Sequence, residues 1–202
     1  MSEPLIYLLA AGLSSAATLL AVWFKHRLTN RECDVLQEET RQNANVYTAL
    51  QYTLEETGAD RAYIMEFHNG EHYFSGRGQQ KFSCTYEVVR KGISAESSNS
   101  QGYRVSNFHH YINKLVHDDE FCHVALESIE DYPFARLLEH KGVRSIYNVT
   151  LKTLNGRIIG VIGVDYVRSE VPAGKIGFHQ HSKGSLTDFL KAQSKIIAGY
   201  LV

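Results

Sequence analysis

Residues 4 to 24 read PLIYLLAAGLSSAATLLAVWF, 21 positions without one charged side chain. At 1.5 Å per residue a helix of that length covers roughly 30 Å, the thickness of a hydrocarbon core. The pattern predicts one transmembrane helix. Ser14, Ser15 and Thr18 can return hydrogen bonds to helix carbonyls, so they are tolerated in lipid. Tyr7 and Trp23 fall near the two ends, where amphipathic rings favour the headgroup zone. A cleaved signal peptide would open on a positive stretch, but this chain opens Met-Ser-Glu-Pro. A buried core helix is rarely so long and so free of charge. Gly12, Ser15 and Ala16 form a small-residue patch of the kind that lets helices pack closely in lipid.

The flanks give the segment a direction. Lys25, His26, Arg27 and Arg31 follow it and Glu3 precedes it. The positive-inside rule then puts the N-terminus outside an inner (plasma) membrane and the following domain in the cytoplasm. From Leu28 to Thr57 there is neither Pro nor Gly, and Leu28, Val35, Leu36, Val46, Tyr47, Leu50 and Leu54 recur at spacings near three and four. That periodicity predicts a helix, which Gly58 ends. Its middle, QEETRQNAN at 37 to 45, is polar all round, so it reads as a stalk with at most a weak coiled-coil seam. The division is an anchor at 1–27, a connecting helix at 28–57 and a domain at 58–202.

Beyond Gly58 the period shortens. Ala62 to Phe67 is an apolar run, and Phe82 to Val89 alternates with β-formers. Ser145 to Leu151 alternates as well. Asn155-Gly156 supplies a hairpin turn, and RIIGVIGVDYV at 157 to 167 follows it. Asp118 to Lys141 reads mainly helical. Leu186 to Val202 is amphipathic, with Leu186, Phe189, Leu190, Ile196, Ile197 and Leu201 largely on one side. Helix, strands, helix, strands, helix predicts an α+β domain with a mainly antiparallel sheet.

Composition narrows the chemistry. Lys plus Arg number 21 and Asp plus Glu 22, for a net charge of −1. That balance gives no electrostatic case for a nucleic-acid partner. Cys33, Cys84 and Cys122 are odd in number and contain no CxxC pair, which argues against a disulfide framework or a zinc knuckle and fits a reducing compartment. His109, His110, His117 and His123 cluster near Asp118, Asp119 and Glu120, and His179-Gln180-His181 adds a second group. No accepted ligand spacing appears, so no metal site is expected.

The segment LLEHKGVRSIYNVTLKTLNGRIIGVIGVDYV, residues 137 to 167, resembles the second half of a GAF domain. Gly142-Val143, the strand at 145 to 151, the Asn155-Gly156 hairpin and the Ile158 to Val167 strand carry the resemblance. Ala59-Asp60-Arg61-Ala62 is similar to the family's first strand entry. Glu66 to Gly70 and KFSCTYE at 81 to 87 resemble GAF-like proteins of bacteria and phages. The resemblance implies a GAF/PAS-like cupped sheet with a small-molecule pocket on one face and the terminal helices on the other. The pocket candidates it implies are Phe67, His68, Asn69, Tyr73, Ser83, Tyr86, Tyr103 and Asp165.

Three chemistries of that family find little support in the residues. Asn113-Lys114 matches part of the cyclic-nucleotide signature, but Phe121 has no acid pair after it and Phe134 leads only to Leu138-Glu139. Cys122-His123 matches a bilin-attachment dipeptide at the wrong spacing. A thiol reductase would need a resolving cysteine where Ser94 stands, leaving only Cys84 and Cys122. The expected function is therefore a membrane-tethered sensory or ligand-binding module without catalysis and with no cofactor named by the sequence. It would be a dimer or higher homo-oligomer, signalling through helix association or a partner since no output domain follows Val202. The alternative is a phage holin-like or virion-associated assembly protein that uses the fold as an oligomerisation scaffold, with a thiol-based reductase behind both.

Overall fold

A computed structural model describes residues 3–29, 35–123, 125–168 and 186–202, apart from the side chains of 3, 5–11 and 27–29. Cys33 and the His179–His181 pair lie outside the described residues. The elements are α1 (Glu3–Thr29), α2 (Val35–Thr57), β1 (Arg61–His72), β2 (Gly78–Val89), β3 (Tyr103–Arg104), α3 (His109–Asp118), β4 (Glu120–His123), α4 (Tyr132–His140), β5 (Ser145–Lys152), β6 (Ile158–Tyr166) and α5 (Leu186–Leu201). The chain divides into two compact units, 1–41 and 42–202.

In the first unit the uncharged segment forms a helix, and Thr18 Oγ1 donates to the Ser14 carbonyl at 2.9 Å as its position in an apolar helix requires. Leu13, Leu19, Leu20, Val22, Trp23 and Phe24 are all exposed. Among the described residues no helix is long and apolar enough to cross a membrane. The span expected over 4–24 falls partly on residues 5–11, whose side chains are outside that description.

The second unit is built on a six-stranded antiparallel sheet in the order β3-β2-β1-β6-β5-β4. α2 runs into it and stops at Gly58, whose φ of +66° suits a residue without a Cβ. Side chains alternate across the sheet, so each strand serves two cores. Ala62, Ile64, Val149, Leu151, Ile162 and Val164 pack with Val46, Leu50 and Leu54 of α2 and with Leu190 and Ile197 of α5. On the other face Tyr63, Met65, Phe82, Cys84, Ile146 and Val161 pack with Tyr111 and Leu115 of α3 and Phe134 and Leu138 of α4.

Two local features depart from simple periodicity. The β1–β2 register shifts between Ile64 and Met65, because Ile64 faces Tyr86 while Met65 faces Cys84. This bulge at Thr85 sends Cys84 and Tyr86 to opposite faces, though they are two residues apart. The second departure corrects the helix expected over 118–141. Asp119 sits at φ +61° and ends α3. Glu120 to His123 then pairs as β4 against Val149 to Ile146, a single 3₁₀ turn follows at Leu126–Ser128, and α-helix resumes at Tyr132, after a buried Asp131 cap.

Candidate functional site

The face of the sheet beneath α3 and α4 holds a cavity of about 40 Å³, room for a few water molecules. Its floor comes from β1, β6 and β5: Tyr63, Met65, Asp165, Ile146 and Asn148. Its roof comes from Tyr111 of α3 and Phe134, Leu137 and Leu138 of α4. Glu96, Ser100, Tyr103 and Lys141 line it from the loops and β3. Tyr111 and Phe134 stack at 3.9 Å between ring centroids, so aromatic bulk fills most of the space a ligand would otherwise take.

The floor is polar where the opposite core is almost wholly apolar. Arg61 is 1% exposed, and its Nη1 lies 3.5 Å from Asp165 Oδ2. The rest of the guanidinium donates to the Ser94 carbonyl at 3.0 Å and the Lys141 carbonyl at 2.9 Å. Asp165 is 4% exposed, and burial pushes its carboxyl up to about 6 against the pull of Arg61 and Lys141. The Tyr63 hydroxyl lies 3.0 Å from Asp165 Oδ1 and 2.9 Å from Asn148 Oδ1, and Asn148 Nδ2 donates to the Tyr111 hydroxyl at 2.8 Å. A phenol has one proton to give. Both oxygens beside Tyr63 are satisfied when Asp165 is protonated and donates to the phenol, which donates on to Asn148. Burial likewise raises the Tyr63 and Tyr111 phenols, so they stay neutral hydrogen-bonding groups.

Lys141 stands at the side of the cavity. Its ammonium donates to Ser100 Oγ at 2.6 Å and lies 5.7 Å from the centre of the Tyr103 ring. It forms no ion pair among the described residues, and burial lowers its pKa. Glu87 also borders the cavity, and its carboxylate accepts from the Glu96 and Ser97 amides at 2.8 Å. Cys84 faces the cavity with its thiol pushed up to about 12 by burial, so it is no nucleophile near neutrality.

Of the eight residues singled out from the sequence, Tyr103 and Asp165 line this cavity. Phe67, His68 and Asn69 border a different, open groove with Val105, Ile112, Arg157 and Leu201. Ser83 is tied to His68 Nε2 at 2.9 Å and to the Gly102 amide at 2.8 Å. Tyr73 sits at the β1–β2 turn, its hydroxyl 3.2 Å from Ser106 Oγ. Tyr86 points to the α2 face and donates to Asn43 Oδ1 at 2.5 Å. Arg61, Tyr63, Tyr111, Asn148 and Lys141 were not singled out. The alternation Arg61–Tyr63–Met65 in β1 carried a signal, since polar heads on an otherwise apolar strand face mark a lined interior.

The histidine cluster opens on neither core. His110, His117 and His123 border a polar cleft with Asp118, Glu130 and Asp131. Among the described residues no group of three or more His, Cys, Asp or Glu side chains converges to hold a metal ion. Cys122 lies on the α5 side of the sheet, its sulfur 3.6 Å from Thr187 Oγ1.

No protein-family model matches the chain, and no curated protein does. Solved structures do match. A cyanobacteriochrome receptor PixJ aligns at TM-score 0.59 and 13% identity over 81% of this chain and 97% of its own. The GAF3 domain of Slr1393 from Synechocystis sp. PCC6803 aligns at TM-score 0.54 and 9% identity, over 79% of this chain and 92% of its own. The GAF-domain region of a protein assigned to the membrane in Geobacter sulfurreducens PCA aligns at TM-score 0.56 and 10% identity, over 83% and 97%. The second unit therefore has the GAF fold, with the sheet and flanking helices expected of it.

Proposed function

We propose that this chain is a non-catalytic sensory module that takes a small molecule into the cavity between the sheet and α3/α4. The observation that carries the reading is the convergence of Asp165 and Lys141 on one cavity, with Arg61 buried beside Asp165. Burying charge in this way is poor economy for stability, because desolvation offsets most of the Coulombic gain. Charged and perturbed groups that gather in a cavity are characteristic of binding sites. At about 40 Å³ the site as it stands suits a ligand of few atoms, and a larger one requires α4 or the 96–103 loop to move outward. Lys141, which enters no ion pair among the described residues and borders the cavity, is the group that meets the ligand. PixJ and Slr1393 GAF3 support the reading as GAF domains of photoreceptor systems, but a thiol near 12 at Cys84 and a Cys122 turned to the α5 face do not support covalent attachment of a pigment here.

The same proposal includes tethering to a membrane through residues 4 to 24. Its support is the uncharged stretch itself and the exposure of Leu13, Leu19, Leu20, Val22 and Phe24 around the helix, since a helix apolar on all sides needs lipid or protein around it. Signal would then pass by helix association in a homo-oligomer. Native mass spectrometry of the full chain in detergent tests the ligand. A co-purifying small molecule released by denaturation, and absent from Lys141→Met, is the expected result. An empty wild-type protein that shows no thermal shift across a metabolite library contradicts it.

A further inference from the structure

The two longest hairpins end in the same turn. Tyr73-Phe74-Ser75-Gly76-Arg77 closes β1 onto β2, and Thr153-Leu154-Asn155-Gly156-Arg157 closes β5 onto β6. In the first, Tyr73 N donates to the Arg77 carbonyl at 2.9 Å and Gly76 N to the Tyr73 carbonyl at 2.8 Å. In the second, Thr153 N donates to the Arg157 carbonyl and Gly156 N to the Thr153 carbonyl, both at 2.9 Å. Gly76 and Gly156 hold φ of +78° and +82°. The backbone geometry accounts for the glycines. It does not account for Phe74 and Leu154, which occupy equivalent positions and are both fully exposed at 111%.

Both turns leave the sheet at one end. β1 and β6 are antiparallel, with Glu66 opposite Gly160. The C-terminal end of β1 and the N-terminal end of β6 therefore point the same way, and the turns lie beyond them. The β1–β2 arm pairs out to His72–Gly78 and reaches farther than the β5–β6 arm, which pairs out to Lys152–Ile158. Each apolar tip has an arginine three positions later. Arg77 lies over the Tyr73 ring at 5.0 Å, while Arg157 is exposed. Lys81 and Arg104 face each other across the strands just behind the first tip. On the first arm Glu66 and Glu71 stand with the cations Arg77, Lys81 and Arg104, and Asp119 is occupied by Lys152.

We infer that this end of the domain docks on an anionic lipid surface, with Phe74 and Leu154 entering the acyl boundary and Arg77 and Arg157 meeting the headgroups. A single exposed apolar residue needs no explanation. The same apolar-polar-Gly-Arg turn at two places on one end does. The tips are convex and set apart, and a bilayer accepts two separate wedges where a protein would have to offer two pockets at a fixed spacing. An apolar tip with a cation at its base, and at the first tip a tyrosine beside it, matches the layering of an anionic interface. The inference does not depend on the cavity or on residues 4 to 24.

The test uses the full chain with Trp23→Phe, which removes its one tryptophan, and a reporter at Phe74→Trp or Leu154→Trp. Each is mixed with vesicles of phosphatidylcholine alone or with phosphatidylglycerol, carrying brominated acyl chains. The expected result is blue-shifted emission and bromine quenching at both positions in the anionic vesicles. Arg77→Gln with Arg157→Gln lowers that partitioning on the order of 25-fold, with circular dichroism confirming an intact fold. Reporters that stay unquenched in both vesicle types overturn the inference and leave the tips to a protein partner. Quenching at only one tip, or equal quenching in neutral and anionic vesicles, overturns it too.

Discussion

The Tyr63 hydroxyl has two acceptor oxygens within 3.0 Å and one proton, so the charge on Asp165 decides which way the buried chain of hydrogen bonds runs. With Asp165 neutral, the carboxyl donates to Tyr63, Tyr63 to Asn148 Oδ1, and Asn148 Nδ2 to Tyr111. With Asp165 ionised, Tyr63 turns its proton to the carboxylate, and Asn148 must present its other amide atom to keep the chain satisfied. The folded pKa of about 6 lies above the ordinary 3.8. The native state therefore holds this proton more tightly than the unfolded chain, and the stability it contributes is full below about pH 4 and lost as pH rises through 6. Thermal melts from pH 5 to 7 are expected to show the wild type losing stability relative to Asp165→Asn, and parallel pH profiles would contradict the assignment. Gly163 sits over the same network. A Cβ there would lie 2.6 Å from the Tyr63 ring carbons and against Asn148 Oδ1. Gly163→Ala is expected to destabilise by about 1–3 kcal/mol in urea unfolding, through overpacking, and a neutral effect would mean that the network is loose.

The cavity roof depends on how α3 and α4 are held. One carboxylate does much of this, because Asp131 Oδ1 accepts from Phe134 N at 3.3 Å at the start of α4 while Oδ2 accepts from Tyr111 N at 3.1 Å in α3. Asp131→Ala removes a cap and leaves a buried amide unpaired, at an expected cost of about 2–3 kcal/mol in denaturant unfolding. A loss within about 0.5 kcal/mol would show that the helices are placed by their aromatic contacts alone. Elements of this kind were the least legible in the sequence. The long strands and terminal helices showed themselves through sustained periods, and Asn155-Gly156 through its turn chemistry. The 118–141 stretch did not, because its apolar residues also fit a helical period and the break is one residue, Asp119, in the left-handed region. The site suffered from the same limit. Tyr103 and Asp165 border the cavity, but Tyr86 is carried to the other face by a bulge that no alternation rule registers. Lys141 and Asn148 join Tyr63 and Asp165 at the cavity only because β1 and β5, far apart in the chain, both pair with β6.

At the scale of the whole molecule, the GAF fold gives a sheet with two unlike faces. One is packed by α2 and α5 with an apolar core. The other is closed by α3 and α4 over a small cavity with Asp165, Tyr63 and Asn148 in its floor and Arg61 buried against Asp165. The sensory account needs that second face to take a ligand, and Lys141 is the group on which binding turns. The direct measurement is differential scanning fluorimetry of the detergent-solubilised full chain against a library of small metabolites, with wild type and Lys141→Met run side by side. A ligand present at 100 times its dissociation constant adds about 2.7 kcal/mol to stability, enough to raise the melting temperature by several degrees. The account predicts such a shift for at least one compound on the wild type and its loss on a folded Lys141→Met. Shifts that survive the substitution unchanged, or none across the library, would contradict it.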